Sequence, residues 1–178
     1  MNPPLSRTNA EAHLYMDLHA CSCGSTRFPR HSAVVALADG DLASRYTGAC
    51  EGCGEEREFV FRLAPTPSST GGGFHYGSAE PSQLLDPGEW LLVADAYAGS
   101  VPAESTGEAG QRARAALTRA VAALDEVAKF APDGEEVPGD AFVSERGRQL
   151  HQREPGRFRR DRLAAVRDTY AELLARLG

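Results

Sequence analysis

All four cysteines of the chain fall in two tight pairs, Cys21-Ser22-Cys23-Gly24 and Cys50-Glu51-Gly52-Cys53-Gly54. A glycine directly after each pair lets the backbone turn back so that its N–H groups face the sulfurs. Two such turns aim four thiolates at one point, the pattern of a single tetrahedral Zn2+ held by Cys21, Cys23, Cys50 and Cys53. A four-cysteine ion keeps no coordination position for a substrate, so the zinc is expected to be structural. The first pair is Cys-x-Cys, one residue shorter than the usual Cys-x-x-Cys. His19, two residues ahead of Cys21, is an alternative ligand in place of Cys21 or Cys23. A redox pair would open a helix within a βαβ unit, whereas this one is expected between two strands.

The stretch between the pairs reads as a hairpin. Arg30 to Leu37 forms one arm, Asp39-Gly40 the turn, and Leu42 to Ala49 the arm that runs into the second pair. Asp-Gly favours a tight hairpin because both positions tolerate positive φ. Arg57-Glu58-Phe59-Val60-Phe61-Arg62-Leu63 then alternates as a half-buried third strand, with Pro65 and Pro67 to stop it. Knuckle, hairpin, knuckle, strand resembles a zinc ribbon over residues 20–64, which implies a small three-stranded antiparallel sheet. Its apolar set is thin, chiefly Val34, Val35, Leu37, Leu42, Tyr46, Phe59, Phe61 and Leu63. So small a core rarely folds unaided, which is the physical reason to expect a metal.

Around that module the chain divides into an arm with a short helix (1–19), a connector (65–80) and a helical domain (81–178). Thr8-Asn9-Ala10-Glu11 has the form of a capping box and predicts a helix through Leu18, with a strand as the rival reading. The connector holds proline, serine and Gly71-Gly72-Gly73, without the Lys-Ser/Thr ending of a phosphate-binding loop. Phe74, His75 and Tyr76 within it are expected to anchor the segment, with a binding loop through His75 and Tyr76 as the functional alternative. Asp86-Pro87-Gly88-Glu89 starts a helix, stapled by Leu85 and Trp90. Gln111 to Phe130 carries an apolar stripe, Asp140 is expected to cap a shorter helix, and a last helix is predicted over Pro155–Leu177, burying a stripe of Phe158, Leu163, Val166, Tyr170, Leu173, Leu174 and Leu177. The expected fold is therefore α+β: a three-stranded antiparallel zinc ribbon followed by an α-helical bundle.

Composition narrows the function. The 178 residues are 42% hydrophobic and 25% charged, as in an ordinary globular protein, and no apolar run approaches a membrane span. The opening residues lack the features of a secretory signal, so a cytoplasmic location is expected, where paired cysteines more often hold metal. The net charge of −6 argues against a general grip on nucleic acid. Residues 141–178 hold nine arginines against five acids (+4), leaving ten basic and twenty acidic residues (−10) in 1–140. Arg157, Arg159 and Arg160 beside Phe158 are the candidate nucleic-acid contacts, but Asp161 interrupts the run and intramolecular pairing is the favoured account.

No Gly-x-Ser-x-Gly elbow, His-Glu-x-x-His pair or nucleotide fingerprint occurs, and the five histidines are scattered. An enzyme with a cleft between the two halves is the third-ranked reading. With its Glu80–Trp90 segment after the knuckles, the chain resembles small zinc-ribbon proteins of GC-rich actinobacteria, a likeness that implies no particular activity. The leading expectation is a non-enzymatic zinc protein that works by protein–protein interaction, as an adaptor or an immunity-type protein against a basic partner. Nucleic-acid binding is second.

Overall fold

The computed structural model describes residues 2–65, 73–102 and 106–177. These fall into two compact units, Met1–Ser69 with Ser82–Leu84, and Thr70–Pro81 with Leu85–Gly178. Of the expected connector, residues 66–72 lie outside the described residues, Pro67, Gly71 and Gly72 among them.

The first unit is a sheet with one helix. Its elements are β1 (Leu5–Ser6), α1 (Asn9–Leu18), β2 (His31–Ala36), β3 (Leu42–Ala49) and β4 (Glu56–Leu63). The hairpin and third strand pair antiparallel, with Val34 opposite Ser44, Tyr46 opposite Phe59 and Ser44 opposite Phe61. The expected three-stranded antiparallel ribbon is nevertheless corrected. β1 adds a fourth strand on the far side of β4, parallel to it, so the order is β1-β4-β3-β2 and the sheet is mixed. Two residues carry no alternation to read, and Pro3-Pro4 ahead of them look like the start of a loop. A parallel neighbour also needs a crossover, which α1 supplies.

α1 begins where its cap predicts: the Glu11 N–H donates to the Thr8 hydroxyl at 3.1 Å. The Glu11 carboxylate turns back to the Arg7 N–H (2.8 Å) and to the Arg7 guanidinium (2.6 and 3.0 Å). Both side chains are shielded, 2% and 0% exposed, and the Ser82 hydroxyl donates to the same carboxylate at 2.6 Å. A buried charge needs such multiple partners to offset desolvation. The contact also explains why 82–84 belongs with the sheet. α1 lays Tyr15 edge-on to Phe59 and Phe61, and His13 edge-on to Tyr46, covering one sheet face.

The second unit holds α2 (Pro87–Gly99), α3 (Gly107–Ala128), α4 (Glu145–Arg153) and α5 (Arg160–Arg176), with one-turn helices at Gly139–Ala141 and Pro155–Phe158. α2 has the full capping box of Asp86 and Glu89, and both staple residues, Leu85 and Trp90, are buried. α4 starts later than Asp140 predicts: Ser144 caps it, and Asp140 lies in the one-turn helix. The N3 residue of α4 is Gly147, which has no side chain to close a capping box. Asp86 takes that role instead, accepting from the Ser144 N–H at 2.7 Å while its other oxygen caps α2 at 2.9 Å. A Cβ on Gly147 would sit 2.3 Å from that carboxylate, so the glycine is required by the close approach.

The last helix is also shorter than the pattern predicts, because Arg159 leaves the helical conformation to pair with Glu136. Of its expected apolar stripe only Phe158 and Leu163 are buried, and Leu173 is 41% exposed. The fold is thus α+β, with a four-stranded mixed sheet and five α-helices among the described residues.

Candidate metal centre

The two cysteine turns meet at one end of the sheet. Each closes on itself: Gly24 N–H donates to the Cys21 carbonyl and Gly54 N–H to the Cys50 carbonyl, both at 2.8 Å. Gly24 and Gly54 sit at φ +86° and +77°, a region that costs a side-chain-bearing residue energy and glycine very little. The ends are tied as well, Cys21 N–H to the Ser25 carbonyl and Cys50 N–H to the Glu55 carbonyl. Glu51 N–H donates to the Arg27 carbonyl at 3.0 Å, joining one turn to the other.

This scaffold puts all four sulfurs within 4.8 Å of one another. Cys21 Sγ lies 3.6 Å from Cys53 Sγ, and Cys23 Sγ lies 3.6 Å from Cys50 Sγ. A Zn–S bond of about 2.3 Å implies S···S separations of about 3.8 Å around a tetrahedral ion. A disulfide would need about 2.05 Å. The four thiols are free, and the spacing fits a cation at their centre.

The electrostatics agree. Gly52 N–H, then Cys53 N–H, face the Cys50 sulfur and hold its pKa down at about 6, against the opposing effect of desolvation. At Cys53 the Glu55 N–H lowers the value, but Cys23 and Cys21 together outweigh it and push the thiol up to about 12. Four thiols this close resist ionising together, and a divalent cation supplies the missing charge. Glu55 approaches from outside, accepting from the Ser22 hydroxyl at 2.8 Å and the Cys21 thiol at 3.2 Å, which lower its own pKa in that order.

His19 has a different task from the one its spacing suggests. Its ring stacks on Tyr15 at 3.7 Å and its Nδ1 is 2.8 Å from the Tyr15 carbonyl, at the end of α1. Among the described residues the cluster that could hold an ion consists of the four cysteines.

Sequence reasoning missed Arg57. Its guanidinium lies 4.9 Å from both the Phe28 and the Phe59 ring, and it donates to the carbonyls of His19 and Thr26 on the approach to each side of the first turn. It is buried, and it fixes the first cysteine turn to the sheet. The signal was available in the period of two, which puts Arg57 on the same face of β4 as Phe59 and Phe61.

The remaining candidates belong to the second unit. Tyr76 is buried against Trp90 (4.8 Å between rings) and Phe74 (4.9 Å), and burial pushes its phenol pKa up. His75 is half-buried, and its Nδ1 has no hydrogen-bond partner among the described residues. Arg157 pairs with Asp95 at 2.6 Å and Arg159 with Asp161 at 3.2 Å. Arg160 donates from Nε to the Gly134 carbonyl at 2.8 Å, and from Nη2 to the carbonyls of Ala131 and Pro132. The structure brings the four cysteines together and distributes the three arginines among separate intramolecular partners.

No described helix is long and apolar enough to cross a membrane. No family model, curated protein or solved structure matches the chain.

Proposed function

We propose that the four cysteines hold one structural Zn2+ and that the protein acts by binding another protein, without catalysing a reaction. The carrying observation is the tetrathiolate itself: four sulfurs within 4.8 Å complete a tetrahedral ion and leave it no open position. Sulfur-only coordination at this spacing favours zinc over harder cations. The backbone N–H groups aimed at the Cys50 and Cys53 sulfurs support a resident thiolate site.

A protein partner is supported by the outer edge of the sheet. Among the described residues β2 pairs with β3 on one side only, and its sequence, His-Ser-Ala-Val-Val-Ala, carries no formal charge, proline or lysine to discourage strand addition. Val34 is 63% exposed and Leu42, beside it at the hairpin end, is 52% exposed. The balance of −10 in residues 1–140 favours a basic partner, as an adaptor or immunity-type protein would meet.

Elemental analysis tests the first half, with one zinc per chain expected. Cobalt exchange should give the intense thiolate charge-transfer band of a four-sulfur site, and a six-coordinate oxygen-type spectrum would defeat the reading. For the second half, a crosslinked partner should be lost in Val34→Lys while zinc content is unchanged. A partner held equally well by Val34→Lys would remove β2 as the contact.

A further inference from the structure

The second unit contains a cleft of about 660 Å³ between the C-terminal part of α3 and the first turns of α5. That volume lies within the usual range for small-molecule sites, roughly 300–1,000 Å³. Its floor is apolar, built from the buried Leu124, Phe158 and Leu163, with the exposed Ala128 and Ala164 on its walls. Three cations line the mouth, and they are unequal. Arg167 is held by Asp125 at 2.9 Å and by Asp168 at 3.4 Å. Lys129 donates to the Glu126 carboxylate and to the Ser78 carbonyl, each at 2.6 Å. The remaining acid at the mouth, Glu80, has a partner of its own.

Arg160 differs from both. All its side-chain hydrogen bonds go to uncharged carbonyls, those of Ala131, Pro132 and Gly134, and among the described residues no carboxylate lies within ion-pair distance of it. The bonds use Nε and Nη2, which orient the guanidinium and leave Nη1 with two N–H donors to offer. A fixed guanidinium with unspent donors is matched by a carboxylate.

We infer that this cleft binds a small amphiphile with an apolar body in the α3–α5 floor and a single carboxylate at Arg160. The Leu124–Leu163 floor excludes water from the body, and the head pairs with the one cation of the mouth that no carboxylate holds. The site lies in the helical unit and its ligand is independent of the metal, so it extends the reading of the protein beyond a metal-stabilised binding module.

The test is calorimetry on the full zinc-loaded chain, with decanoate, decan-1-ol and decylamine as probes below their aggregation limits. Decanoate should bind one per chain, and about tenfold more tightly than decanol, the step expected for one charge-assisted contact. Ala164→Trp, at an exposed position on the cleft wall, should abolish the heat of binding. Arg160→Met should bring decanoate down to the decanol level while leaving decanol unchanged. Silence with decanoate, equal affinity for decanol or decylamine, or full binding by Ala164→Trp would each overturn the inference. Capture of the chain by anionic phospholipid vesicles, without uptake of monomeric decanoate, would overturn it too. Should Arg160→Met fail to fold, the comparison of head groups on the unaltered chain still decides the matter.

Discussion

The sheet unit and the helical unit differ in what holds them. The first packs Tyr46, Phe59 and Phe61 on one face of a small sheet, under a ten-residue helix, and places its four thiols at one exposed end, where Cys23 and Cys53 are open to solvent. The second buries Trp90, Leu124, Val127 and Phe158 almost completely and fastens the starts of α2 and α4 with a carboxylate and a hydroxyl. A small sheet gains too little from burial to stand by itself, whereas a multi-helix core of this kind does. The difference sets where an ion held by the four thiols would change stability, in the sheet unit, and where it would not.

The sharpest way to break the comparison is at Cys50. Cys50→Ser, or complete chelation, should cost the sheet unit on the order of 10 kcal/mol, the scale of structural zinc in small modules. Near-UV circular dichroism from the Phe59–Phe61–Tyr46 cluster should collapse while most of the helical far-UV signal persists. Retention of the near-UV signal in the metal-free protein would show that the sheet does not depend on its ion.

Trp90→Ala gives the converse. Removing a fully buried indole should cost about 3–5 kcal/mol in the helical unit, read by denaturant melting, with zinc content unchanged. Asp86→Ala should cost about 2 kcal/mol, because it removes one cap and strips the Ser144 N–H of its acceptor at the same time.

The smallest effect is a pH dependence confined to the sheet unit. Burial first, and then the Arg30 charge, hold His13 below its ordinary pKa of 6.5, against the pull of Asp17. The unfolded chain then binds the proton at higher pH than the folded one. Stability is full above pH 6.5 and declines as pH falls from there through the folded pKa. His13→Gln in saturating zinc should flatten that slope, measured as the melting midpoint between pH 7.5 and 5.5.

Much of the molecule was legible where a residue's role is local. Thr8, Asp86 and the Asp39-Gly40 turn declare α1, α2 and the β2–β3 hairpin because their chemistry acts within three or four residues. The meeting of the cysteine turns was legible for a similar reason, since the spacing itself encodes it. β1 was not, because a two-residue strand is defined only by its partner. Nor was the Arg7–Glu11–Ser82 cluster, whose members stand 71 positions apart from Glu11 to Ser82. α5 misled in another way: its leucine spacing is periodic, but solvent covers the part of the stripe near Leu173.

The shared carboxylate of Asp86 bears on how the helical half assembles. α4 has nine residues, too few to persist as an isolated helix in water, and its opening N–H is satisfied by a group 58 positions earlier in the chain. Its amides should therefore open to exchange only when the start of α2 opens, with matched protection in the two segments. A nascent chain that has made α4 before docking it would hold that helix only fleetingly, which places its consolidation late in the order of folding.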